Sequence, residues 1–360
     1  MSQIMDIDGS LYEGGGQILR MALCFSVLCK KPVRIYNIRG GRKKPGLMAQ
    51  HTKSIELLRD ISNARVTGLQ IGSMEIVFHP GDIGAGKFIA HVQTAGSISL
   101  LMQAVLPVAI FGSGSITLDL KGGTNVDMAP QVDFMTEIFR PNLEKFGATF
   151  DFDLLRRGYF PKGGGHCIVH INSVRSLRPV TLIDVGTIDR CFGWSFVSGA
   201  VPMRVAKDMA DGAKNVLKRI SRDEIKIDEY KESVDMAVDN CSGIILGIET
   251  STGMVMGGAT LGNRQRDSFR TGEEAANEIK SAFELRACVD RHVQDMVVVL
   301  MALANGQSKL RTEPLTLHTQ TAIFVAELMT KAKFAVHEQE DGSFIIQCDG
   351  IGITNQYHQN

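Results

Sequence analysis

The sequence contains three similar stretches: Ile38-Arg39-Gly40-Gly41-Arg42, Leu120-Lys121-Gly122-Gly123-Thr124 and Leu317-His318-Thr319-Gln320-Thr321. In each of them an apolar residue precedes a basic residue, and a short polar segment follows. We expect a strand to end at the basic residue, which gives Arg39, Lys121 and His318 equivalent positions. Arg39 and Lys121 are 82 residues apart, and the same interval separates Gly14 from Gly96. Two independent matches at one offset indicate an internal repeat.

The segments around these stretches repeat as well. A helical pattern follows each loop, at 50–58, 130–139 and 322–329. Each loop is preceded by an apolar helix pattern and then a strand pattern. The helix patterns cover 14–28, 94–109 and 291–304, and the strand patterns cover 33–38, 115–120 and 310–317. A helix with one apolar stripe must cover a sheet. The sequence therefore predicts a layered α/β (α+β) unit that is used three times.

The third unit is displaced by a long insertion. Lys121 and His318 are 197 residues apart, which exceeds one period by 115 residues, the size of a small domain. We predict a large domain of three units, about 1–80, 81–180 and 274–353, and an inserted small α/β domain, 181–273. The insert has a helix pattern at 204–220 and strand patterns at 224–227, 243–248 and 254–259. The polar tail, 354–360, is expected to fray.

The composition excludes several classes of protein. Lys plus Arg and Asp plus Glu number 39 each, so the overall charge does not indicate a polyanionic partner, and any nucleic-acid site must be a local cluster. The seven cysteines form no C-x-x-C pair, which is typical of reduced thiols in the cytosol or nucleus. The longest apolar runs, near 101–111 and 296–304, are too short to span a bilayer. We therefore expect no membrane association.

A glycine run opens the first helix, in the order Glu13-Gly14-Gly15-Gly16-Gln17. Glycines at a helix entry let a phosphate approach the backbone N–H groups, and the helix N-terminus favours anions. Arg20 lies on the same helical face as Gln17. Glu13 could hold a divalent metal that bridges nucleotide phosphates. The alternative is a flexible turn with a helix cap, because glycine runs are weak signals.

Basic residues are densest between Arg34 and Lys44. Arg39 and Arg42, separated by two glycines on a loop, suit bidentate contacts with phosphate oxygens. The alternative is a solvated charged loop.

His318 stands among hydroxyl and amide side chains at what we predict to be a strand end. An imidazole can attack the α-phosphate of ATP and leave again. Its second ring nitrogen needs an acceptor, a role that Asp295 can fill. The alternative is a structural histidine.

Together these residues resemble a known family. The motifs, in order, are Glu13-Gly14-Gly15-Gly16-Gln17-Ile18-Leu19-Arg20, Arg39-Gly40-Gly41-Arg42, Pro45-Gly46-Leu47, Gln50-His51, Lys121-Gly122-Gly123-Thr124, Arg157-Gly158-Tyr159, Pro161-Lys162-Gly163-Gly164-Gly165 and His318-Thr319-Gln320-Thr321-Ala322. They resemble those of the RNA 3′-terminal phosphate cyclases over about 6–353. The resemblance implies three repeats of a two-helix, four-stranded unit with an inserted domain.

The resemblance also implies an activity. Such an enzyme, a ligase that forms a phosphoric ester bond, transfers AMP from ATP to a histidine and then to an RNA 3′-phosphate. The 2′-hydroxyl displaces AMP and leaves a 2′,3′-cyclic phosphate. The implied ligands are ATP, Mg²⁺ or Mn²⁺ and an RNA with a 3′-phosphate. The implied location is the nucleus (nucleoplasm), with the cytoplasm as a second compartment; the oligomeric state is left open.

The resemblance assigns roles to individual residues. His318 matches the nucleophile, Asp295 an acidic residue beside it, and Glu13 a metal-site residue. Positions that line the phosphate pocket or the nucleotide site are matched by Arg20, Arg39, Arg42, Gln50, His51, Gln103 and Pro130. Two positions depart from the pattern. Where the family often has an adenine-stacking Tyr, this chain has His292, and where it has Gln, this chain has Met296.

Two other functions fit the repeat architecture. Cyclase-like proteins of ribosome assembly share the fold and act in RNA processing, but they lack the nucleophilic histidine motif. Enolpyruvyl transferases resemble the cyclases in architecture and have no use for a covalent histidine. The presence of His318 within His-Thr-Gln-Thr favours the cyclase.

Overall fold

The computed structural model of the protein describes residues 3–237 and 239–358. Within these ranges the strands form four four-stranded sheets. Three of the sheets share one strand order and one connectivity, so the predicted threefold repeat is confirmed.

The first unit runs strand, helix, strand, helix, strand, strand. Its elements are β1 (Met5–Asp8), α1 (Gly16–Cys29), β2 (Val33–Tyr36), α2 (Ala49–Ile61), β3 (Arg65–Thr67) and β4 (Ile76–His79). The sheet order is β1-β2-β4-β3, with β1 and β2 parallel and the other pairs antiparallel. Because α1 is apolar on nearly every side, it lies in the centre of the domain.

The second unit repeats this plan. Its elements are β5 (Gly86–His91), α3 (Ile98–Ala109), β6 (Ile116–Gly122), α4 (Val132–Phe134), a π-helical turn (Met135–Phe139), α5 (Arg140–Lys145), β7 (Asp151–Arg156) and β8 (Gly165–Ile171). The sheet order is β5-β6-β8-β7. The segment that corresponds to α2 is thus one continuous helical run that contains a π turn.

The third unit is split by the insert. It begins with β9 (Thr181–Leu182) and resumes, after the insert, with its remaining elements. The insert contains β10 (Ile188–Ser198), α6 (Met203–Leu217), β11 (Ile225–Lys231), β12 (Cys241–Thr250), β13 (Val255–Leu261) and α7 (Ser268–Glu284). The unit then continues with α8 (Gln294–Leu303), β14 (Gln307–Thr312), α9 (Leu317–Thr330), β15 (Lys333–Glu338) and β16 (Phe344–Asp349). The sheet order β15-β16-β14-β9 matches the other two units.

The insert joins the fold at a different place from the one expected. Thr181 and Leu182 of β9 pair with Lys309 and Leu310 of β14, so β9 belongs to the third unit. The insert therefore begins after β9, within that unit. The predicted limits at 181 and 273 fall within β9 and α7. Helix α7 packs on α6 and β13 and so belongs with the insert sheet, whose order is β11-β10-β12-β13. The predicted strand patterns at 243–248 and 254–259 correspond to β12 and β13, which pair antiparallel.

The helices of the three units pack against one another, and the sheets lie outside them. Helix α1 contacts α9, α3 and α2, while α8 contacts α9. In β6 the buried Ile116, Leu118 and Leu120 alternate with partly exposed polar residues, as expected for a sheet with one face towards the core. This arrangement brings the N-terminal ends of α1, α2 and α9 close together.

The polar tail contacts the rest of the protein at Asn355. Asn355 is buried; its backbone N–H donates to the Arg175 carbonyl at 2.8 Å and its Nδ2 to the Gly112 carbonyl at 2.9 Å. Fraying of the tail stays a prediction, and 359–360 lie outside the described residues. In the described part of the chain, no helix is both long and apolar enough to cross a membrane.

Candidate active site

His318 is the second residue of α9, so it lies in the first turn of a helix. The predicted strand end is wrong here, because β14 ends at Thr312 and Thr316 caps the helix. The Thr316 hydroxyl accepts the Thr319 N–H at 3.1 Å. The exposed His318 side chain therefore stands where backbone N–H groups and the helix dipole favour a bound anion.

Gln17 orients the His318 ring. The Gln17 Nε2 donates to Asp295 Oδ2 at 2.6 Å and to the His318 carbonyl at 3.1 Å. Because Nε2 faces two acceptors, Oε1 must be the atom that lies 2.5 Å from His318 Nδ1. Nδ1 then carries the hydrogen and donates it to Oε1. In the neutral ring this leaves the lone pair on Nε2, the nitrogen that can act as a nucleophile.

Asp295 acts on His318 through Gln17, and the direct contact that we predicted is not the one that orients the ring. The carboxyl lies in the first turn of α8 and is partly buried. Burial raises its pKa, while the charges of His318 and Arg20 oppose the rise. Burial lowers the pKa of Arg20, and Asp295 and Glu13 oppose that change. Arg20 and Asp295 thus carry opposite, partly buried charges beside the His318–Gln17 contact.

His51 is held as a neutral hydrogen-bond donor. Its Nδ1 accepts the Met48 N–H at 3.0 Å, so a neutral ring carries its hydrogen on Nε2. Burial, together with the charges of Arg20 and Arg39, lowers the pKa of His51 to about 4. A Cβ on Gly16 would lie 2.7 Å from His51 Nε2 and 2.9 Å from Arg20 Nη1. Glycine at this position therefore allows both side chains to meet the start of α1.

The two loop arginines lie at the mouth of the same site. Arg42 pairs with Glu13 Oε1 and donates to the Glu13 carbonyl at 2.9 Å. The other carboxylate oxygen, Oε2, accepts the Gly15 N–H at 2.8 Å. Arg39 has a left-handed backbone (φ 55°), and its Nη1 donates to the carbonyls of Lys44 at 2.6 Å and Gly46 at 3.0 Å. Burial and the charge of Arg42 lower the pKa of Arg39. The site thus offers three guanidinium groups to an anion.

Comparison with known proteins gives a consistent result. A family model described as RNA 3′-terminal phosphate cyclase matches residues 11–336. A Drosophila melanogaster protein named RNA 3′-terminal phosphate cyclase is 38% identical over 98% of both chains. A protein of that name from Desulfurococcus amylolyticus is 37% identical over 97% of this chain and 99% of its own.

The chain belongs to the RNA 3′-terminal phosphate cyclase family.

This cyclase-family chain has an apolar cavity next to Asp295 and Arg20. Gln103 lines it and donates from Nε2 to the Met296 sulfur at 3.2 Å. The other lining residues are Gln17, Met21, Cys24, Leu106, Pro107, Phe139, Val299 and Leu300. Gln103 and Met296 thus line the same cavity as Arg20 and Asp295.

The remaining predicted residues lie on the second-unit side of the site. Gln50 Oε1 accepts the Ser97 N–H at 3.1 Å, and the Pro130 carbonyl accepts a hydrogen bond from Ser99. His292 Nε2 lies 3.0 Å from Glu278 Oε1, and its ring meets Phe134 edge-on at 5.9 Å.

The His292 ring is held in a charged setting. Burial opposes its protonation, but the hydrogen bond and charge of Glu278 and the charge of Asp290 raise the pKa of His292 to about 9. His292 is therefore a cation at neutral pH and is already paired with Glu278.

Two site residues were missing from the predicted set. Gln17 was quoted within the glycine run but given no role, although its position three residues before Arg20 puts both on one face of α1. The Thr321 hydroxyl accepts the Glu13 N–H at 3.3 Å and so ties the glycine run to α9. Both contacts join residues about 300 positions apart, at sequence separations of 301 and 308, which local patterns do not reveal.

The described residues do not form a metal site from protein groups alone. Among the described residues, no three His, Cys, Asp or Glu side chains gather closely enough to hold an ion. Glu13 contributes a single carboxylate. Mg²⁺ is commonly bound by one or two carboxylates together with substrate phosphates, so Glu13 fits a site that a nucleotide would complete.

Proposed function

We propose that the chain uses ATP to convert an RNA 3′-terminal phosphate into a 2′,3′-cyclic phosphate, with His318 carrying AMP between the two substrates. The observation that carries the proposal is the contact between His318 Nδ1 and Gln17 Oε1 at 2.5 Å. It fixes the tautomer in which Nε2 holds the lone pair, at a helix N-terminus that favours anions. The named relatives support the class of substrate.

The first step is an exchange at the α-phosphorus of ATP. His318 Nε2 forms a bond to phosphorus, the bond to the bridging oxygen of pyrophosphate breaks, and pyrophosphate leaves with that electron pair. The ring becomes positively charged while it is still hydrogen-bonded through Nδ1. Gln17 Oε1 accepts the hydrogen bond of the charged ring, and the nearby Asp295 carboxylate, which accepts from Gln17 Nε2 at 2.6 Å, stabilises the charge. The same charge makes the ring a good leaving group in the next step.

The next two steps act on RNA. An oxygen of the 3′-phosphate attacks the adenylate phosphorus, the N–P bond breaks, and the electron pair returns to His318. The 2′-hydroxyl then attacks the terminal phosphorus, loses its proton to solvent or base, and expels AMP. Adenylation is needed because a phosphate monoester has no good leaving group of its own.

The basic residues would bind the phosphates in these steps. Arg20 lines the same cavity as Asp295, and Arg39 and Arg42 stand at the mouth, where Arg42 pairs with Glu13. Neutral His51 can donate from Nε2 without adding charge. A guanidinium that is partly desolvated binds a phosphate more strongly than one in water, because the local dielectric is lower. Mg²⁺ or Mn²⁺ at Glu13 would neutralise phosphate charge.

Labelling the protein with ATP tests the proposal. Protein incubated with ATP labelled at the α-phosphate and with Mg²⁺ or Mn²⁺ is expected to acquire an acid-labile, base-stable label. The variant His318→Ala should not be labelled, while His337→Ala, an exposed histidine on β15, should be labelled as the wild type is. Labelling of His318→Ala at the wild-type level would show that another residue is the nucleophile.

A second measurement separates the enzyme from the assembly-factor alternative. Wild-type protein should convert a synthetic RNA with a 3′-phosphate into the cyclic form. If the protein takes AMP but never cyclises such an RNA, the assembly-factor interpretation is favoured instead.

We also propose a nuclear location, from the resemblance to eukaryotic members of the family. Imaging of a fluorescent fusion tests it, and exclusion of the fusion from the nucleus would contradict it.

A further inference from the structure

The solvent face of the second sheet carries a row of basic side chains. His91 of β5 pairs with Lys121 of β6, which pairs with His166 of β8, which pairs with Arg156 of β7. Residues paired across neighbouring strands point to the same face. Their neighbours Ala90, Leu120 and Cys167 are buried, so the row faces outwards. With strands roughly 4.8 Å apart, the row extends about 14 Å across the sheet.

Two acidic residues of this face, Asp119 and Asp153, pair with its histidines and with Lys87. Asp119 lies two residues before Lys121 in β6 and pairs with Lys87 at 2.9 Å. Its Oδ1 lies 2.8 Å from His166 Nε2 and 3.4 Å from His91 Nε2. Asp153 lies 3.4 Å from His170. Within the described part of the chain, the unpaired positive charge of the row therefore comes from Lys121 and Arg156.

The hairpin loop that follows the row exposes an aromatic ring. Residues 157–164 join β7 to β8, and Tyr159, buried, anchors this loop through a bridge to Asn125. The next residue, Phe160, is 73% exposed. On the neighbouring loop Met128 is 95% exposed. Exposed large apolar side chains beside cations are typical of surfaces that stack unpaired bases.

A chain of packing contacts links the hairpin loop to the candidate active site. The loop packs closely on the segment before α3, since a Cβ on Gly163 would lie 2.6 Å from the Thr94 carbonyl oxygen. Three residues further on, the Ser97 N–H donates to Gln50 Oε1 at 3.1 Å. Gln50 precedes His51, which stands beside Arg20. A chain of contacts thus joins Phe160 to the phosphate pocket.

We propose that His91, Lys121, Arg156, Phe160 and His166, here called the second-unit rim, bind the single-stranded RNA segment immediately 5′ of the reacting phosphate. Lys121 and Arg156 contact backbone phosphates, and Phe160 stacks on a base. This inference rests on the proposed function, because it needs an RNA whose 3′ end lies at His318. Single-stranded RNA is the partner that matches both features: a duplex offers phosphates but keeps its bases stacked.

Salt-dependent binding tests the phosphate contacts. The probe is a fluorescent single-stranded RNA with a 3′-phosphate, titrated by anisotropy at several salt concentrations. Each phosphate contact with single strands contributes about 0.7 to the slope of log K against log salt, so Lys121→Ala/Arg156→Ala should reduce the slope by about 1.4. The matched control is Arg65→Ala/Lys333→Ala, an exposed pair on strands of the first and third sheets, which should leave the slope unchanged.

Phe160→Ala tests stacking in the same assay. It should weaken binding about 5- to 100-fold and leave the salt slope unchanged, because a base stack involves no counterion release. A duplex with the same 3′-phosphate should bind Phe160→Ala and wild type equally. Equal affinity of Phe160→Ala and wild type for the single strand would exclude the stacking role.

Two outcomes separate this inference from the proposed function. If the alanine pair fails to fold, as seen from its thermal midpoint, it is replaced by Lys121→Gln/Arg156→Gln, which removes both charges and keeps polar side chains longer than alanine. If either folded pair binds RNA with the wild-type slope while the wild type takes AMP and cyclises RNA, the second-unit rim is wrong and the proposed function stands. If the wild type never takes AMP, the proposed function fails irrespective of RNA binding.

Discussion

Replacing Gln17 with leucine should slow the transfer of AMP to His318 by about 10- to 150-fold. The substitution keeps a similar volume and removes three hydrogen bonds, to His318 Nδ1, to the His318 carbonyl and to Asp295. A hydrogen bond to a charged group contributes about 1.5–3 kcal/mol, and the Nδ1 contact becomes one when the ring turns positive in the first step. About 1.4 kcal/mol corresponds to a factor of ten in rate.

The assay is the single-turnover rate of labelling with α-labelled ATP. The control is Gln320→Leu on α9, the helix that carries His318. The Gln320 side chain is exposed, and among the contacts described it donates only to the Leu315 carbonyl, at 3.2 Å. This variant should label as fast as the wild type. Thermal unfolding shows whether Gln17→Leu retains the fold. If folded Gln17→Leu labels at the wild-type rate, Gln17 does not set the tautomer and the assignment of Nε2 as nucleophile loses its basis.

Three further predictions concern the surrounding residues. The pKa of His292 is raised to about 9 in the folded protein, so its stabilising contribution is complete below pH 6.5 and is lost as the pH rises to 9. Because 43% of the His292 side chain is exposed, solvent screening limits this loss of unfolding free energy to about 1 kcal/mol. Urea unfolding measures the loss, which should disappear in Glu278→Gln. The pKa of His51 is lowered to about 4, so an NMR titration should show a ring that stays neutral down to about pH 5. A titration midpoint near pH 6.5 would contradict the effect of burial and of the charges of Arg20 and Arg39. Gly16→Ala should slow labelling by α-labelled ATP, because the new Cβ displaces the His51 ring. Gly41→Ala is the control, because a Cβ there has no described neighbour within 4 Å. Equal labelling rates of the two variants would contradict this packing.

The repeat could be predicted because each unit has the same local signals. Apolar helices, glycine-rich loops and a common interval are visible without any tertiary contact. The first strand of each unit was not part of the predicted repeat, since the pairing of β1, β5 and β9 with β2, β6 and β14 is non-local. The point of insertion was displaced for the same reason: the two residues of β9 are assigned to the third unit only by their pairing with β14.

His318 shows how a local pattern can mislead. The apolar Leu315 and Leu317 suggested that the strand continued to the histidine, but Pro314 interrupts it and Thr316 caps a helix. His318 is therefore not equivalent to Lys121, which lies inside β6. As the second residue of its helix it corresponds to Gln50 in α2, also a second residue and also part of the site. The Thr-x-x-Thr capping pattern was the available signal.

The identities of the charged site residues could be predicted, but their mutual contacts could not. The pairing of Arg42 with Glu13, and the path from Asp295 through Gln17 to His318, depend on which helix ends meet. That meeting is set by the packing of α1 against α9, a property of the whole domain.

The location of the AMP adduct tests the central claim most directly. Wild-type protein treated with ATP and Mg²⁺ is digested under basic conditions, where a phosphoramidate survives, and its peptides are sequenced by mass spectrometry. We predict AMP on His318, within the peptide that contains Thr316 to Ala322. An adduct on a lysine or on another histidine, or no adduct on protein that cyclises RNA, would contradict the account.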